Sequence, residues 1–385
     1  MNIRELCPGW LFPVLQRAGS IGTIVRFAYY KRRIPMENDR VLLFSVSREQ
    51  LSGNLLHVYR AIDKESYVTD IVLEHDGTTK KELLQKMAAA RYIIIDDYTK
   101  MIYPLSMRKE ARLIQVWHST GAFKRMGFAR MGRKGSTIKT SLTHRNYTDV
   151  IVSSEGVVED FKEAFGVPVS CIHPIGVPRT DVFFDEEYVQ KTRDLLYEQY
   201  PMLRGKKVVM FAPTFRGETR EDAHYPAEFL NVETFVKELG KEYVLGLKLH
   251  PFITERTDVP EAYRDRIIDF SGYREINDLL FVTDILITDY SSVIFEYAFL
   301  KKPIVFYVPD LEQYTSDRDF FYPFETYTYG QVAKNQEELA AAVKEAVFDE
   351  GRLQTFYEKF LGACDGHSSE RLVSTILTEG KGKTK

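Results

Sequence analysis

The sequence predicts an α/β protein built from two doubly wound, Rossmann-like domains that face a central cleft. Three observations predict it. Short, mostly apolar runs recur along the chain and alternate with stretches of helical spacing, the pattern of a parallel sheet covered on both faces. That pattern is interrupted by a charged stretch at 185–205 and then restarts. The length of 385 residues fits two domains.

The N-terminal segment stands apart. Residues 1–33 carry Arg4, Arg17, Arg26, Lys31, Arg32 and Arg33 against one acid, Glu5, and mix them with Trp10, Phe12, Ile21, Val25, Phe27, Tyr29 and Tyr30. An in-plane interfacial helix needs that mixture, and so does a helix packed on the body of the protein. After Pro35, strands are expected at 41–45, 67–73, 92–96, 112–117 and 149–153, with helices at 54–61, 80–90 and 156–165. The second domain starts near 205, with strands at 207–212, 244–249, 267–270, 284–288 and 303–307. Residues 336–348 and 351–378 read as terminal helices. The expected division is 1–34 for the basic segment, 35–200 and 205–335 for the two domains, and 336–385 for the terminal helices and a polar tail.

Composition excludes several classes. Apolar residues at 44% and charged residues at 28% rule out a disordered or low-complexity chain. The net charge of −3, from 52 basic and 55 acidic residues, gives no global drive toward nucleic acid. Three cysteines without a CxxC do not make a disulfide framework or a zinc site and fit a reducing cytoplasm. No apolar window is long enough to cross a membrane and no secretory signal is apparent.

Ligands of open α/β sheets bind outside the carboxyl ends of the strands, so polar residues just after strands are the candidates. Gln115-Val116-Trp117 runs into His118, Ser119, Thr120 and Gly121. Gly246-Leu247 runs into Lys248, Leu249, His250 and Pro251, with Lys248 and His250 on one face. Ile287-Thr288 runs into Asp289, Tyr290, Ser291 and Ser292 at a helix start, where free N–H groups and hydroxyls suit an anion. Thr214 and Arg216 follow the first strand of the second domain, and a guanidinium grips phosphate bidentately. Neither GxGxxG nor GxxxxGK[ST] is present. Each piece alone also reads as structural, a satisfied histidine or an N-cap; together they favour a phosphate-handling cleft. Residues 124–145 form a second basic run, including Lys124, Arg125, Arg130, Arg133 and Lys134 and no acid. With the N-terminus it points to an anionic lipid surface or a phosphorylated substrate; no nucleic-acid reader motif accompanies it.

As an ordered set, Trp117–Gly121, Ala212–Arg216, Leu249–Pro251, Thr288–Ser292, Phe295–Ala298, Asp317-Arg318-Asp319 with Phe321, and Asp365-Gly366 with Ser368, Ser369 and Arg371 resemble the CDP-glycerol glycerophosphotransferases of teichoic acid synthesis. The likeness spans most of 40–375. One departure is Ser119, where the family more often has Gly then Thr after the histidine. The resemblance implies the GT-B architecture and a peripheral enzyme on the cytoplasmic membrane face. It implies transfer of glycerol phosphate from CDP-glycerol to an undecaprenyl-diphosphate-linked disaccharide, releasing CMP, most like the primase step. Alternatives are a chain-extending glycerol- or ribitol-phosphate transferase, a nucleotide-sugar glycosyltransferase of the same architecture, and a membrane-bound binding protein with a vestigial site.

Within this reading His118 and His250 are catalytic, His118 being the base because imidazole titrates near neutrality. Ser119, Thr120, Gly121, Thr214, Arg216, Lys248, Asp289, Ser291, Ser292, Glu296 and Arg318 bind substrate, with Asp289 orienting His250 or a donor hydroxyl and Glu296 taking a hydroxyl. Trp10, Phe12, Arg17, Arg26, Lys31, Arg32, Arg33 and the basic run at 124–134 meet the membrane. No metal and no cofactor is expected. Glycerol against ribitol, primase against polymerase, the identity of the acceptor, which histidine is the base, and the oligomeric state, a homo-oligomer included, stay open at this point.

Overall fold

The computed structural model describes residues 12–132, 142–217, 220–254, 259 and 261–377. The chain divides into two compact units, 1–181 with 359–385 and 182–358. Each holds one wholly parallel six-stranded sheet.

In the first unit, α1 (Phe12–Arg33) precedes β1 (Glu37–Phe44), α2 (Gly53–Ala61), β2 (Val68–Val72), α3 (Lys80–Ala89), β3 (Ala90–Ile95), β4 (Arg112–Gln115), β5 (Asp149–Ile151), α4 (Val158–Phe165) and β6 (Ile172–His173). The spatial order is β2-β1-β3-β4-β5-β6. Val41, Leu43, Ile94, Ile114 and Ile151 form one buried face of this sheet. Helix starts follow local chemistry: Thr79 and Glu82 close a reciprocal capping box on α3.

The second unit carries α5 (Glu186–Gln199), β7 (Lys207–Phe211), α6 (Val232–Leu239), β8 (Tyr243–Leu247), β9 (Ile267–Asp269), α7 (Ile276–Val282), β10 (Ile285–Thr288), α8 (Val293–Ala298), β11 (Ile304–Tyr307), α9 (Leu311–Asp317), β12 (Gln331–Ala333), α10 (Gln336–Glu345) and α11 (Glu350–Leu361). Its order, β12-β11-β10-β7-β8-β9, is that of a dinucleotide-type sheet, reversing direction between β7 and β10. Val209, Leu245, Ile285 and Val305 pack under Phe235, Leu339 and Val343.

Two boundaries differ from the sequence expectation. The charged stretch after 185 is α5, capped by Asp185 and packed on α7 of the second unit, so the first unit stops at 181 rather than 200. The last helix is broken: after α11 the chain turns at Asp365-Gly366 and restarts as α12 (Ser368–Leu372). From Lys359 this segment belongs to the first unit. Ser153 Oγ donates to the Phe360 carbonyl at 2.6 Å. Asp181 accepts the first N–H groups of α12, Ser368 at 2.9 Å and Ser369 at 2.8 Å. Arg371 donates to the Ile175 carbonyl and Arg112 to that of Ile376. Gly176, at φ +87°, passes so close that a Cβ would lie 2.3 Å from Ser368 Oγ. Leu372, Ile376 and Leu377 thereby complete the first core.

Candidate active site

In the first unit the strand order reverses between β1 and β3, and the loops leaving those two strands are tied together by an ion pair of Arg48 with the buried Asp96. Next to this switch point β4 ends, and Val116, Trp117 and His118 follow. Trp117 is left-handed, φ +55°, a conformation costing a non-glycine residue about 1–2 kcal/mol. Four hydrogen bonds hold the turn. Trp117 N–H donates to Gln115 Oε1 at 2.9 Å. Asn54 Nδ2 donates to the carbonyls of Val116 at 2.9 Å and Trp117 at 2.8 Å. Arg179 donates to the His118 carbonyl at 3.1 Å. The indole stacks on the imidazole, centroids 4.2 Å apart.

The His118 side chain is 40% exposed, yet Nδ1 is buried and makes no hydrogen bond. Asp97 Oδ1 stands 3.8 Å from it. Burial of that edge holds the imidazole below its ordinary pKa; Asp97 and Asp96 oppose the shift and Arg48 assists it. The ring is therefore neutral, and able to accept a proton, at pH 7. Beside it Ser119 is half-exposed and Thr120 is buried.

In the second unit the switch point lies between β7 and β10, and Asp289 spans it. Its Oδ1 accepts Thr214 N–H at 2.7 Å and its own neighbour's, Tyr290 N–H, at 2.6 Å. Arg216 binds Asp310 through Nε and Nη2 at 2.6 and 2.9 Å, and through Nη1 the Thr214 carbonyl at 2.7 Å and Asp289 at 3.0 Å. The guanidinium lies over the rings of Tyr290 and Tyr314, and its pKa is raised, desolvation being outweighed by the two carboxylates. Four of its five N–H groups are thus taken by the protein. Arg216 ties the Thr214 loop to Asp289 and Asp310, and Asp289 holds the same loop through Thr214 N–H.

At the end of β8, Lys248 is buried, with Nζ 3.4 Å from the Ser271 carbonyl. His250 Nδ1 accepts Phe252 N–H at 3.2 Å, and its ring packs between Phe215 and Phe252. With Nδ1 accepting, the neutral ring carries its proton on Nε2. Thr214 Oγ1 is buried without a partner. Ser291 and Ser292 are half-exposed, and Ser291 Oγ turns back to Val293 N–H at 3.4 Å. The helix they lead into, α8, has six residues, too few for a strong dipole; the hydroxyls are what this turn offers. Glu296 is buried within α8. Arg318 donates to the Gly217 carbonyl at 2.8 Å. Among the described residues no group of three or more His, Cys, Asp or Glu is placed to hold a metal ion.

The basic segments sort differently. Trp10, Arg133 and Lys134 lie outside the described residues, and of Phe12 and Arg17 only the helical backbone is described. Lys31 donates to the Ser106 carbonyl, Arg125 pairs with Glu163 at 2.7 Å, and Lys124 and Arg130 are half-buried. On α1, Thr23 and Phe27 are buried, while Ile21, Val25 and Tyr29, spaced four apart, are 58%, 61% and 57% exposed. Arg26, Arg32 and Arg33 are exposed alongside them. Among the described residues no helix is long and apolar enough to cross a membrane.

Sequence reasoning missed Asp97 and Asp310, although both follow strands in the same way as the residues it chose. Asn54 and Gln115 carried no signal, since their role is to hold backbone carbonyls and N–H groups far away in sequence.

Two parallel doubly wound sheets with imidazole, ammonium and hydroxyl groups at their carboxyl ends define the GT-B class. The solved structure of the wall teichoic acid polymerase TagF has this fold, matching 97% of this chain and 98% of its own at a TM-score of 0.76 and 20% identity. The profile of the CDP-Glycerol:Poly(glycerophosphate) glycerophosphotransferase family matches residues 26–378, and the chain belongs to that family. A teichoic acid poly(ribitol-phosphate) polymerase of Bacillus spizizenii is 41% identical over 92% of this chain, which spans 59% of that relative's length. A teichoic acid ribitol-phosphate primase of the same organism is 35% identical over 90% of this chain and 94% of its own.

Proposed function

We propose that the protein is a polyol-phosphate transferase of teichoic acid synthesis, using a CDP-activated polyol phosphate and a lipid-linked acceptor. An acceptor hydroxyl attacks the phosphorus that bears the polyol. The new P–O bond forms as the bond to the CMP phosphate breaks, CMP leaves, and the hydroxyl proton passes to His118. The observation that carries this reading is His118 itself: a neutral, half-exposed imidazole in a strained, fully braced turn, within a chain of this family.

The second unit supplies the donor site in this reading. His250 offers an Nε2–H to the diphosphate, Lys248 a buried positive charge, and Thr214, Ser291 and Ser292 hydroxyls. Arg318, at the end of α9, reaches the Gly217 carbonyl in the loop after β7. Arg216 holds Asp289 and the Thr214 loop in place. Ser119 is the member of the Ser119–Gly121 turn that meets the acceptor. Ribitol phosphate is favoured over glycerol phosphate, because the relatives at 41% and 35% identity are named for ribitol; the motifs alone left this choice open. The family's own description supports glycerol phosphate as the second reading.

The exposed Ile21-Val25-Tyr29 stripe and its flanking arginines support peripheral binding to an anionic membrane, each basic group near the surface adding about 1 kcal/mol. The test of function is CMP release from CDP-ribitol, CDP-glycerol and UDP-sugars, with and without a synthetic disaccharide-diphosphate lipid. Acceptor-dependent release from CDP-ribitol is expected. Turnover of a UDP-sugar alone would overturn the reading. Product length on bare and primed acceptors separates the addition of one unit from the addition of many.

A further inference from the structure

We propose that Asp97 is a positioning residue for His118, its carboxylate keeping the imidazole proton on Nδ1 so that Nε2 presents its lone pair outward. The inference rests on the role given to His118 above and deepens it.

The geometry starts at Gln115. Its side-chain oxygen accepts Trp117 N–H, and its amide nitrogen donates to the Asp97 carbonyl at 3.2 Å and to the Tyr147 hydroxyl at 3.0 Å. One buried amide thus sets both the turn that carries the imidazole and the backbone that carries the carboxylate. Asn54 fixes the same turn from the opposite side, and its own Oδ1 accepts Arg179 N–H at 2.9 Å. With the indole stacked on one face, the imidazole is left one buried edge, Nδ1, and one accessible edge.

The charged groups that face this ring are Asp97, Asp96 and Arg48, with Arg179 reaching its backbone carbonyl. Asp96 is already paired with Arg48. Asp97 anchors itself by accepting Tyr98 N–H at 2.6 Å and is the carboxylate nearest Nδ1. At 3.8 Å it acts through charge rather than a hydrogen bond. When a proton arrives on Nε2, the ring becomes a cation with Asp97 beside its buried edge, which stabilises the charge that forms. In the resting ring, a carboxylate on the Nδ1 side favours the Nδ1–H tautomer.

The experiment uses the full chain labelled with ¹⁵N-histidine. Long-range ¹H–¹⁵N spectra are recorded across pH for the wild type, Asp97→Asn and Asp97→Glu, with His118→Gln giving the assignment. The Asn variant keeps an oxygen for Tyr98 N–H, and thermal melts check its folding. The expected results are an Nδ1–H tautomer at pH 7.5 and a His118 midpoint lowered by about one unit in Asp97→Asn, partly restored in Asp97→Glu. The acid limb of kcat/KM moves down with the midpoint, and kcat falls about tenfold or more with donor KM unchanged. An Nε2–H tautomer in the wild type, or an unmoved midpoint in Asp97→Asn, overturns the proposal. If the spectra behave as expected but no donor is turned over, the pairing stands and the assigned activity falls.

Discussion

Lowering the pH from 7.5 to 5.0 should weaken the first unit through one residue, His144. Its ring sits in a closed aromatic box of Tyr98, Tyr103, Phe128, Tyr147 and Phe165. Nδ1 lies 3.3 Å from the Tyr147 hydroxyl and Nε2 is buried without a partner. Gly127 closes the box at φ +53°; a Cβ there would stand 2.8 Å from Nε2 and 2.0 Å from the Ala164 carbonyl. Desolvation alone lowers the histidine from 6.5 to about 3. A folded-state value below the unfolded one means that the unfolded chain binds the proton first. Stability is therefore intact above pH 6.5 and is lost as the pH falls toward 3. Between pH 7.5 and 5.0 the loss from this group is about 2 kcal/mol.

Urea unfolding followed by Trp117 fluorescence, in a Trp10→Phe background, reads this unit directly, because the indole packs against Tyr98 and Phe165. His144→Asn removes the titrating group and keeps a residue type that tolerates the observed φ of +60°. It costs packing at both pH values, but the loss between 7.5 and 5.0 should shrink by about 2 kcal/mol. His118 shifts in the same direction and remains in both proteins, so the difference isolates His144. Equal losses in the two proteins would refute the reasoning.

His118→Ala should lower turnover about 10²–10⁴-fold while calorimetry shows donor binding retained; His250→Ala should weaken donor binding instead. Arg216→Ala leaves the buried Asp289 and the part-buried Asp310 without their cation and should cost the second unit about 3 kcal/mol, and Arg216→Lys should recover little because the bidentate fork is lost; denaturant midpoints check both. Asp181→Ala removes the acceptor for two α12 N–H groups and should cost the first unit about 1–2 kcal/mol, read by the same Trp117 signal. Replacing Ile21, Val25 and Tyr29 together by Ser should reduce sedimentation with anionic vesicles and leave donor binding in solution unchanged; undiminished sedimentation would remove α1 from the membrane contact.

Most of the sheet was legible because parallel strands buried on both faces leave apolar runs such as Val41–Phe44 and Tyr92–Ile95, and each observed strand overlaps an expected one except β6 and β12. Those two are edge strands of two and three residues, Ile172-His173 and Gln331–Ala333, too short to leave a run. Helix α5 was hidden by its charge: of its fourteen residues only Thr192 and Leu196 are buried. At the candidate site, histidines and hydroxyls stood out because strands ended on them. The partners of Arg216 were not legible, because a guanidinium after a strand looks the same whether it meets a phosphate or two carboxylates from its own fold. The carboxylates, Asp289 and Asp310, come from loops 73 and 94 residues away, and nothing local signals the encounter.

The return of residues 359–377 to the first unit bears on how the protein is made. During vectorial synthesis the whole of 182–358 emerges before Leu372, Ile376 and Leu377 can cover Val41, Leu43 and Ile114. The first sheet must wait on the ribosome with that face bare, whereas the second can close in sequence order. Nascent chains stalled just short of Ser368 should then be the ones that bind holdase chaperones and resist protease least, and the segment that ends the wait is one that contains none of the residues assigned to chemistry.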